Sequence, residues 1–214
     1  MNTSLRISKL SKSDKAPFVS LMSRAFSRDP LFLHLFGDSE HDLKASRKVT
    51  AFVSFMFDKS FLLHEEALGF FENEILLGAY VVEKPRADML RSIRGGLLLI
   101  GRVLPLMFRL SWQTLRLLNG YMRVTKSAVP PRMHHYLIMI GVEPESQGKG
   151  VGKALLNHLL TTVSADRYSL GIALDTENEE NIKIYRRFGF ALSRETKFND
   201  LPVYCMFYKK DTDL

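Results

Sequence analysis

A glycine-rich loop in the second half of the chain is the clearest sign of chemistry in this sequence. It follows an apolar run, residues 136–142, that predicts a buried strand, and Pro144 ends this strand because proline has no N–H for a sheet. Gly148, Gly150 and Gly152 lack a Cβ, so the backbone of this loop can take positive φ angles and come within van der Waals contact of a ligand. An apolar helix follows at once. Loop N–H groups and the positive end of the helix dipole then converge on one point, as a pyrophosphate requires.

Two familiar phosphate-binding loops do not fit this spacing. A Walker loop has four residues between its glycines and then Lys-Ser/Thr, whereas three residues separate Gly148 from Gly152, and alanine follows Lys153. The dinucleotide fingerprint has a glycine where Lys153 stands, and it belongs to the first βαβ unit of a doubly wound sheet. What remains is a loop of the form Gln-x-x-Gly-x-Gly, with Gln147, Gly150 and Gly152 at its fixed positions.

A second motif lies downstream, on a helix that follows a predicted strand at residues 170–175. Asn178 is the predicted N-cap, the glutamates after it favour the positive end of the helix dipole, and Gly189 ends the helix. Asn181 and Tyr185 are four residues apart and therefore share one helix face.

Together the two motifs resemble the signature of the GNAT acyltransferase superfamily. The resemblance covers residues 136–208, and residues 1–132 match only in general layout. It implies an α/β fold (an α+β mixed sheet) of about seven strands flanked by helices, as a single domain over residues 1–214. It also implies acetyl-CoA as the acyl-donor substrate, with transfer of the acetyl group to a primary amine by direct attack in a ternary complex.

The resemblance places CoA along the end of the strand, the loop and the start of both helices. The main chain near Val142 would pair with the pantetheine arm and stabilise the oxyanion that develops on the thioester carbonyl. The expected CoA-binding residues are Ile140, Gly141, Val142, Gln147, Gly148, Lys149, Gly150, Val151, Gly152, Lys153, Asn178, Asn181 and Tyr185.

The resemblance also implies that Tyr185 donates a proton to the departing thiolate. The general base stays open: an alkylammonium with a pKa of about 10.4 must lose a proton before it attacks. Where many family members have a glutamate on the strand before the loop, this sequence has Tyr136, with His134 on the same face of the strand. The candidates are His134, Tyr136, Asp175 and Glu177, and each has a purely structural role as its alternative.

Composition indicates an ordinary globular protein. The 214 residues are 46% hydrophobic and 25% charged, which is enough for one buried α/β core. The single cysteine, Cys205, excludes an internal disulfide and is interpreted as a core residue. Residues 1–15 lack the apolar segment of a secretory signal, so a cytoplasmic location is expected. The six histidines share no ligand spacing, so we expect no metal.

Hydrophobic periodicity predicts the elements that position these motifs. They are a strand at residues 5–10, a helix from about 13 to a stop at Asp29-Pro30, a helix from about 40 to 61, a hairpin at 68–82, and strands at about 190–197 and 203–209. In the family that the motifs resemble, the two N-terminal helices flank the acceptor site.

Residues 86–132 form a basic helical insert that a minimal version of this layout does not require. They hold nine of the 30 Lys and Arg residues and one of the 23 Asp and Glu residues, a net charge of +8, while the remainder of the chain, with 21 basic and 22 acidic residues, has −1. Arginines recur every seven residues from Arg102 to Arg123, which predicts a basic ridge on helical segments.

Three interpretations of this basic insert differ in the partner they imply. A membrane span is rejected because the most apolar part, residues 97–110, contains two arginines and a proline and is shorter than the roughly 20 apolar residues that a bilayer needs. A docking surface for nucleic acid or an anionic membrane stays open, and would make the chain a non-catalytic acyl-CoA-binding or regulatory module. We favour a helical cap packed on the core or on a second subunit, so nucleic-acid and membrane partners are not expected and a homodimer stays open.

Overall fold

The computed structural model describes residues 4–85, 101, 105–128 and 133–210. The strands are β1 (Leu5–Lys9), β2 (Glu66–Glu72), β3 (Ile75–Glu83), β4 (His135–Val142), β5 (Gly171–Thr176), β6 (Ala191–Phe198) and β7 (Leu201–Lys209). The helices are α1 (Lys15–Ala25), α2 (Pro30–Phe36), α3 (Leu43–Leu62), α4 (Trp112–Ala128), α5 (Val151–Ala165) and α6 (Glu179–Arg187). Residues 105–109 are also helical, and Lys12–Asp14 and Pro144–Ser146 form 3-10 turns.

The strands form one seven-stranded mixed sheet in the order β1-β2-β3-β4-β5-β7-β6. All neighbours are antiparallel except β4 and β5, which are parallel and are joined through α5. The predicted mixed sheet of about seven strands flanked by helices is therefore confirmed.

Apolar side chains cover both faces of this sheet. On one face α1, α2 and α3 pack around Phe18, Phe57 and Val81. On the other face α5 and α6 pack around Leu155 and Ile172. Because each fully buried side chain of this size contributes about 1.5–3 kcal/mol, the two cores fix the sheet from both sides and leave its edges and strand ends for function.

The sheet opens between its two parallel strands. β4 and β5 pair only at His135 with Ile172 and at Tyr136 with Ala173, although β4 continues to Val142. Beyond Tyr136 the main-chain groups of β4 that face β5 have no strand partner among the described residues. This free edge lies where the resemblance places the pantetheine arm of CoA.

A register shift in the other pairing of β4 accompanies this opening. Val81 pairs with Met139 and Val82 pairs with Leu137, so Ile138 has no register partner on β3. An extra residue of this kind bends a strand and increases its twist, and such bulges are common beside active sites. The bulge lies next to the point where β4 and β5 cease to pair.

Asp29-Pro30 was predicted to end the first helix, but in the structure this pair begins a second one. α1 ends at Ala25, and Asp29 is the N-cap of a second helix, α2, in which Pro30 is the first residue. The Asp29 carboxylate accepts hydrogen bonds from the N–H groups of Leu31 and Phe32 at 3.0 and 3.1 Å. Aspartate before proline starts helices as readily as it ends them, because proline needs no N–H at the first helical position.

The described part of the basic insert packs on the core as a helical cap. Leu115 and Leu118 of α4 contact the apolar core between the sheet and helices α1 to α3. Gly120 allows close approach to β6, because a Cβ there would meet the Phe198 ring at 2.9 Å. Arg116 and Arg123 are exposed. The predicted ridge residue Arg102 and the insert residues 86–100, 103–104 and 129–132 lie outside the described residues.

Candidate active site

The loop between β4 and α5 has the geometry of an anion-binding nest. Gly148 and Gly150 have φ angles of 75° and 88°. A Cβ added at either position would meet no atom within 4 Å, so glycine is required by the backbone conformation and the space beside it is open. Gly150 is the N-cap of α5, so the free N–H groups and the positive dipole end of that helix face the same space.

Two glycines of the expected CoA-binding set have helical or packed surroundings instead of positive φ angles. Gly152 lies in the first turn of α5 without a positive φ, and a Cβ there would make an ordinary 3.5 Å contact with Val142. Gly141 lies against α1, where a Cβ would overlap Met22 Sδ at 2.6 Å. Packing against α1, rather than a ligand, requires glycine at position 141.

The remaining loop residues surround the nest. Lys149 and Lys153 are exposed, where an ammonium can reach a phosphate. The Gln147 side-chain amide donates to the carbonyl of Val142 at 3.4 Å and connects the loop to the end of β4. The Val151 side chain is buried in the core, so only its main-chain N–H is available to a ligand.

Two asparagines fix the start of α6. Asn178 is the N-cap, as predicted, and its side chain accepts from the N–H of Glu180 at 3.0 Å. The Asn181 side-chain amide donates to the hydroxyl of Thr176, at the end of β5, at 3.1 Å. These side chains hold α6 on β5 and thereby set the position of Tyr185.

Tyr185 lies one turn beyond Asn181 and is 8% exposed. Its ring centroid is 5.6 Å from that of Phe190. Burial raises the pKa of the Tyr185 phenol, and the negative charges of Asp175, Asp29 and Glu177 raise it further. The hydroxyl therefore keeps its proton at neutral pH, as a proton donor must.

Four residues form a hydrogen-bonded group at the mouth of the opening between β4 and β5. We name Asp175, Glu177, Tyr121 and Tyr136 the carboxyl cluster. The Tyr121 hydroxyl contacts an oxygen of Asp175 and an oxygen of Glu177, and the Tyr136 hydroxyl donates to the other oxygen of Asp175. Asp175 lies two residues beyond Ala173, the last partner of β4. The cluster therefore lies where the strands separate.

Burial makes the two carboxyls of this cluster weak acids. It raises the pKa of Asp175 to about 6, and the charge of Asp29 adds to this effect. Burial and the charge of Asp175 raise the pKa of Glu177 to about 8. A carboxylate with such a pKa can accept a proton near neutral pH and release it again, which is the property a general base needs.

The pKa of Glu177 predicts a pH-dependent difference in stability. As the pH rises from 4.5 towards 8, the folded protein retains a proton on Glu177 that the unfolded chain releases, so this group's contribution to the free energy of unfolding falls. Glu177→Gln cannot ionise, so its stability relative to the parent should improve steadily over that range. Urea unfolding at pH 5, 6.5 and 8 measures the difference, with Glu195→Gln, an exposed position, as the matched control. Parallel pH curves for Glu177→Gln and the parent would contradict the assignment.

The candidate bases thus fall into two groups. Tyr136, Asp175 and Glu177 come together in the carboxyl cluster. His134 lies just before β4 rather than on it, and its ring packs edge-on against Phe207 with centroids 5.8 Å apart. Its role as a base remains a prediction.

Sequence reasoning missed two residues that act on this site. Tyr121, which is 8% exposed, belongs to the basic insert, whose helix was expected only to cap the core. Asp29, which was predicted only as part of a helix end, raises the pKa of both carboxyls through its charge. The Asp-Pro pair could have revealed Asp29 as an N-cap, whereas no local pattern marks Tyr121.

A cavity of about 290 Å³ lies elsewhere, between β1, β2 and the end of α3. Its lining includes Leu10, His64 and Glu65 and contains no residue of the glycine loop or the carboxyl cluster. Chemistry and main-chain geometry, rather than cavity shape, therefore locate the candidate site. In the part of the chain that the structure describes, no three His, Cys, Asp or Glu residues are grouped to hold a metal ion, and no helix is long and apolar enough to cross a membrane.

Comparison with known proteins agrees with this geometry. Residues 116–192 match the family model described as an acetyltransferase (GNAT) domain. A curated relative, the 5-NmdU N-acetyltransferase of Pseudomonas phage PaMx11, is 37% identical over 60 residues, which are 28% of this chain and 41% of that protein. The match therefore spans about two fifths of the relative's length.

Solved structures share the fold along almost the whole chain. The Corynebacterium glutamicum histone acetyltransferase HPA2 and related acetyltransferase has a TM-score of 0.69 at 18% identity, covering 100% of this chain and 99% of that one. The ribosomal-protein-S18-alanine N-acetyltransferase of Escherichia coli has a TM-score of 0.56 at 13% identity, covering 99% and 97%. YncA, a putative acetyltransferase of Salmonella typhimurium solved with acetyl-CoA, has a TM-score of 0.53 at 18% identity, covering 98% and 95%.

A mixed sheet that opens between two parallel strands, beside a glycine loop at a helix N-terminus, is the arrangement that the resemblance to the acyltransferases implied. The family match over residues 116–192 and the shared fold confirm the resemblance to the GNAT acetyltransferase superfamily.

Proposed function

We propose that this protein transfers the acetyl group of acetyl-CoA to a primary amine by direct attack in a ternary complex. The observation that carries the proposal is the unpaired edge of β4, which leads from the glycine loop to Tyr185 and the carboxyl cluster. This arrangement supplies a binding surface for the donor, a proton donor and a proton acceptor within one opening. That YncA was solved with acetyl-CoA supports the choice of donor.

The donor would bind through main-chain groups at both ends of the opening. N–H groups of Gly148 and residues 150–153 and the dipole of α5 would hold the pyrophosphate, with the side chains of Lys149 and Lys153 adding positive charge. The free edge of β4 at Ile140 and Val142 would pair with the pantetheine amides as another strand would. A main-chain N–H near Val142 would then stabilise the thioester oxyanion.

The chemistry would use the two titratable groups in turn. The acceptor ammonium gives one proton to the carboxyl cluster, and the free amine attacks the thioester carbon. As the C–N bond forms and the C–S bond breaks, Tyr185 gives its proton to the thiolate. The nitrogen then loses a second proton, which passes through the cluster and reprotonates Tyr185. The net products are an N-acetyl amine, CoA thiol and one proton, which the cluster releases to solvent.

A panel of amines tests this proposal directly. The protein is incubated with acetyl-CoA and one amine at a time, and the release of free thiol is measured. The panel contains small alkylamines, amino acids, N-terminal peptides and aminomethyl nucleosides. At least one acceptor should give thiol release well above the hydrolysis background. Mass spectrometry should show an added acetyl group on the nitrogen. Tight acetyl-CoA binding without release for any amine would instead favour the non-catalytic acyl-CoA-binding module.

Gly150→Val should weaken acetyl-CoA binding by roughly 5- to 150-fold, equivalent to about 1–3 kcal/mol. Valine is strained at a φ of 88°, and its side chain would occupy the open space in which the phosphates are proposed to lie. Isothermal titration with acetyl-CoA measures the change.

Gly37→Val is the matched control for this loss. Gly37 has a φ of 90° and lies at the end of α2, outside the loop. It should therefore carry a similar folding penalty without loss of affinity. Equal acetyl-CoA affinity of folded Gly150→Val and the parent would exclude the loop as the pyrophosphate site.

A further inference from the structure

The carboxyl cluster has more hydrogen-bonding contacts than phenolic protons. Tyr121 contacts Asp175 and Glu177, and Tyr136 contacts the second oxygen of Asp175, which makes three contacts. Each phenol carries one proton. If both carboxyls were ionised, one contact would join an oxygen to a carboxylate with no proton between them. The cluster therefore holds a third proton, on one of its carboxyls.

Glu177 is the carboxyl that holds this proton. Asp175 can accept from Tyr121 at one oxygen and from Tyr136 at the other, so its ionised form is satisfied by two donors. Glu177 contacts only Tyr121 within the cluster and is 7% exposed. A neutral Glu177 can donate to the Tyr121 oxygen while Tyr121 donates to Asp175, and this order satisfies all three contacts. The higher pKa of Glu177, about 8 against about 6 for Asp175, agrees with this order.

We propose that Tyr121 of α4 is a positioning residue that joins Glu177 and Asp175 into one proton-sharing unit and keeps Asp175 ionised to take the proton of the acceptor amine. The proposal rests on the proposed acetyl transfer, and it makes the helix of the basic insert part of the active site. In the step itself, the ammonium N–H bond breaks and an O–H bond forms on Asp175, so that a neutral amine and a protonated Asp175 result.

Packing of α4 places Tyr121 firmly enough for this role. Its ring contacts Phe198 edge-on with centroids 5.7 Å apart, and Val203 and Cys205 complete the apolar cluster around it. Burial and the charges of Asp175 and Glu177 raise the pKa of Tyr121, so the phenol keeps its proton at neutral pH. A hydroxyl held in this way has a fixed direction, which a water molecule in an open site would not have.

Other charged and titratable groups face the cluster from the elements packed around it. They are Asp29 at the start of α2, Tyr185 of α6, Cys205 of β7 and Arg194 of β6, which acts on Cys205. All of them remain in a Tyr121 variant, so a comparison with the parent isolates the effect of the Tyr121 hydroxyl.

Tyr121→Phe tests the proposal, because it keeps the ring against Phe198 and removes only the hydroxyl. Carbon-13 NMR of the side-chain carboxyls, titrated from pH 4 to 10 without any substrate, measures each midpoint. The midpoint of Asp175 should rise by about one pH unit, the size of one lost hydrogen bond to the carboxylate. With an amine from the panel, the acid limb of kcat/KM should move to higher pH by the same amount.

Tyr80→Phe is the matched control. Tyr80 is also buried, but its hydroxyl lies 3.0 Å from His158 Nδ1 in the other core, so its removal should leave the Asp175 midpoint in place. An unchanged or lowered Asp175 midpoint in Tyr121→Phe overturns the proposal, even if the variant is less stable. The NMR titration needs no turnover. If no amine in the panel is acetylated, the proposed reaction is rejected, but the Asp175 midpoint still shows whether Tyr121 sets the ionisation of Asp175.

Discussion

Asp175→Asn is expected to lower kcat/KM for an amine acceptor by a factor of about 10² to 10⁴, the usual contribution of a general base. The amide has nearly the shape of the carboxylate but cannot take a proton at neutral pH. In the parent, activity should fall below pH 6 as Asp175 becomes protonated. In the variant this acid limb should disappear. Thiol release between pH 5 and 9 measures both effects, and acetyl-CoA affinity should stay near that of the parent.

The stability of Asp175→Asn is not expected to explain this loss. Replacing a buried carboxylate removes the cost of its charge, which offsets the loss of one accepted hydrogen bond. We expect the Tm to change by no more than about 4 °C, or ~1 kcal/mol for a chain of this size. Asp58→Asn, which removes a half-buried carboxylate paired with Lys15 at 2.8 Å, is the matched control. Full activity of Asp175→Asn across the pH range would exclude Asp175 as the base and leave Glu177, Tyr136 and His134 as candidates.

The local structure of the proposed CoA-binding half of the site could be predicted because its signals are local. Gly148 and Gly150 require glycine by their own φ angles, and Asn178 caps the helix that it immediately precedes. The spacing from Asn181 to Tyr185 follows from one helical turn. Each of these features depends on residues within a few positions of one another, so the sequence contains the whole pattern.

The acceptor half could not be predicted in the same way, because its contacts join distant segments. Tyr121 meets Asp175 and Glu177 across 54 and 56 residues of chain. Its position depends on how α4 docks on β6 through Gly120 and Phe198. Periodicity shows that α4 is amphipathic, but not which residue of its buried face reaches a strand end.

Packing also changed the meaning of one residue within the predicted motif. Gly141 matched the family pattern for a CoA-binding strand, yet the structure shows that Met22 of α1 leaves no room for a Cβ there. A glycine in a strand indicates close approach of something, and the sequence alone does not distinguish a ligand from a neighbouring helix. The close contact between Gly141 and α1 instead packs β4 tightly against the helices on that face of the sheet.

Tyr185→Phe is expected to lower the single-turnover rate tenfold to a few hundredfold. A thiolate with a pKa of about 8.5 leaves tolerably well unaided, so its proton donor should contribute a factor of roughly 10² rather than all of catalysis. The pKa of Tyr185 is raised well beyond the working range, so the hydroxyl is protonated throughout pH 6 to 9. The rate should therefore fall by a constant factor over that range, with the shape of the pH profile unchanged. Rapid-quench measurement of the acetylated amine keeps product release from masking this step.

Tyr208→Phe is the matched control, because the Tyr208 ring also packs on Phe190, with centroids 5.8 Å apart, and lies outside the proposed proton path. Both variants keep the aromatic packing of α6, so acetyl-CoA affinity should change little in either. The same single-turnover rate in Tyr185→Phe and the parent at every pH would make the Tyr185 hydroxyl structural and require water or another side chain to protonate the sulfur. A loss confined to high pH would also contradict the assignment. Burial and three nearby carboxyls raise the pKa of the Tyr185 phenol, so the phenol must stay protonated there.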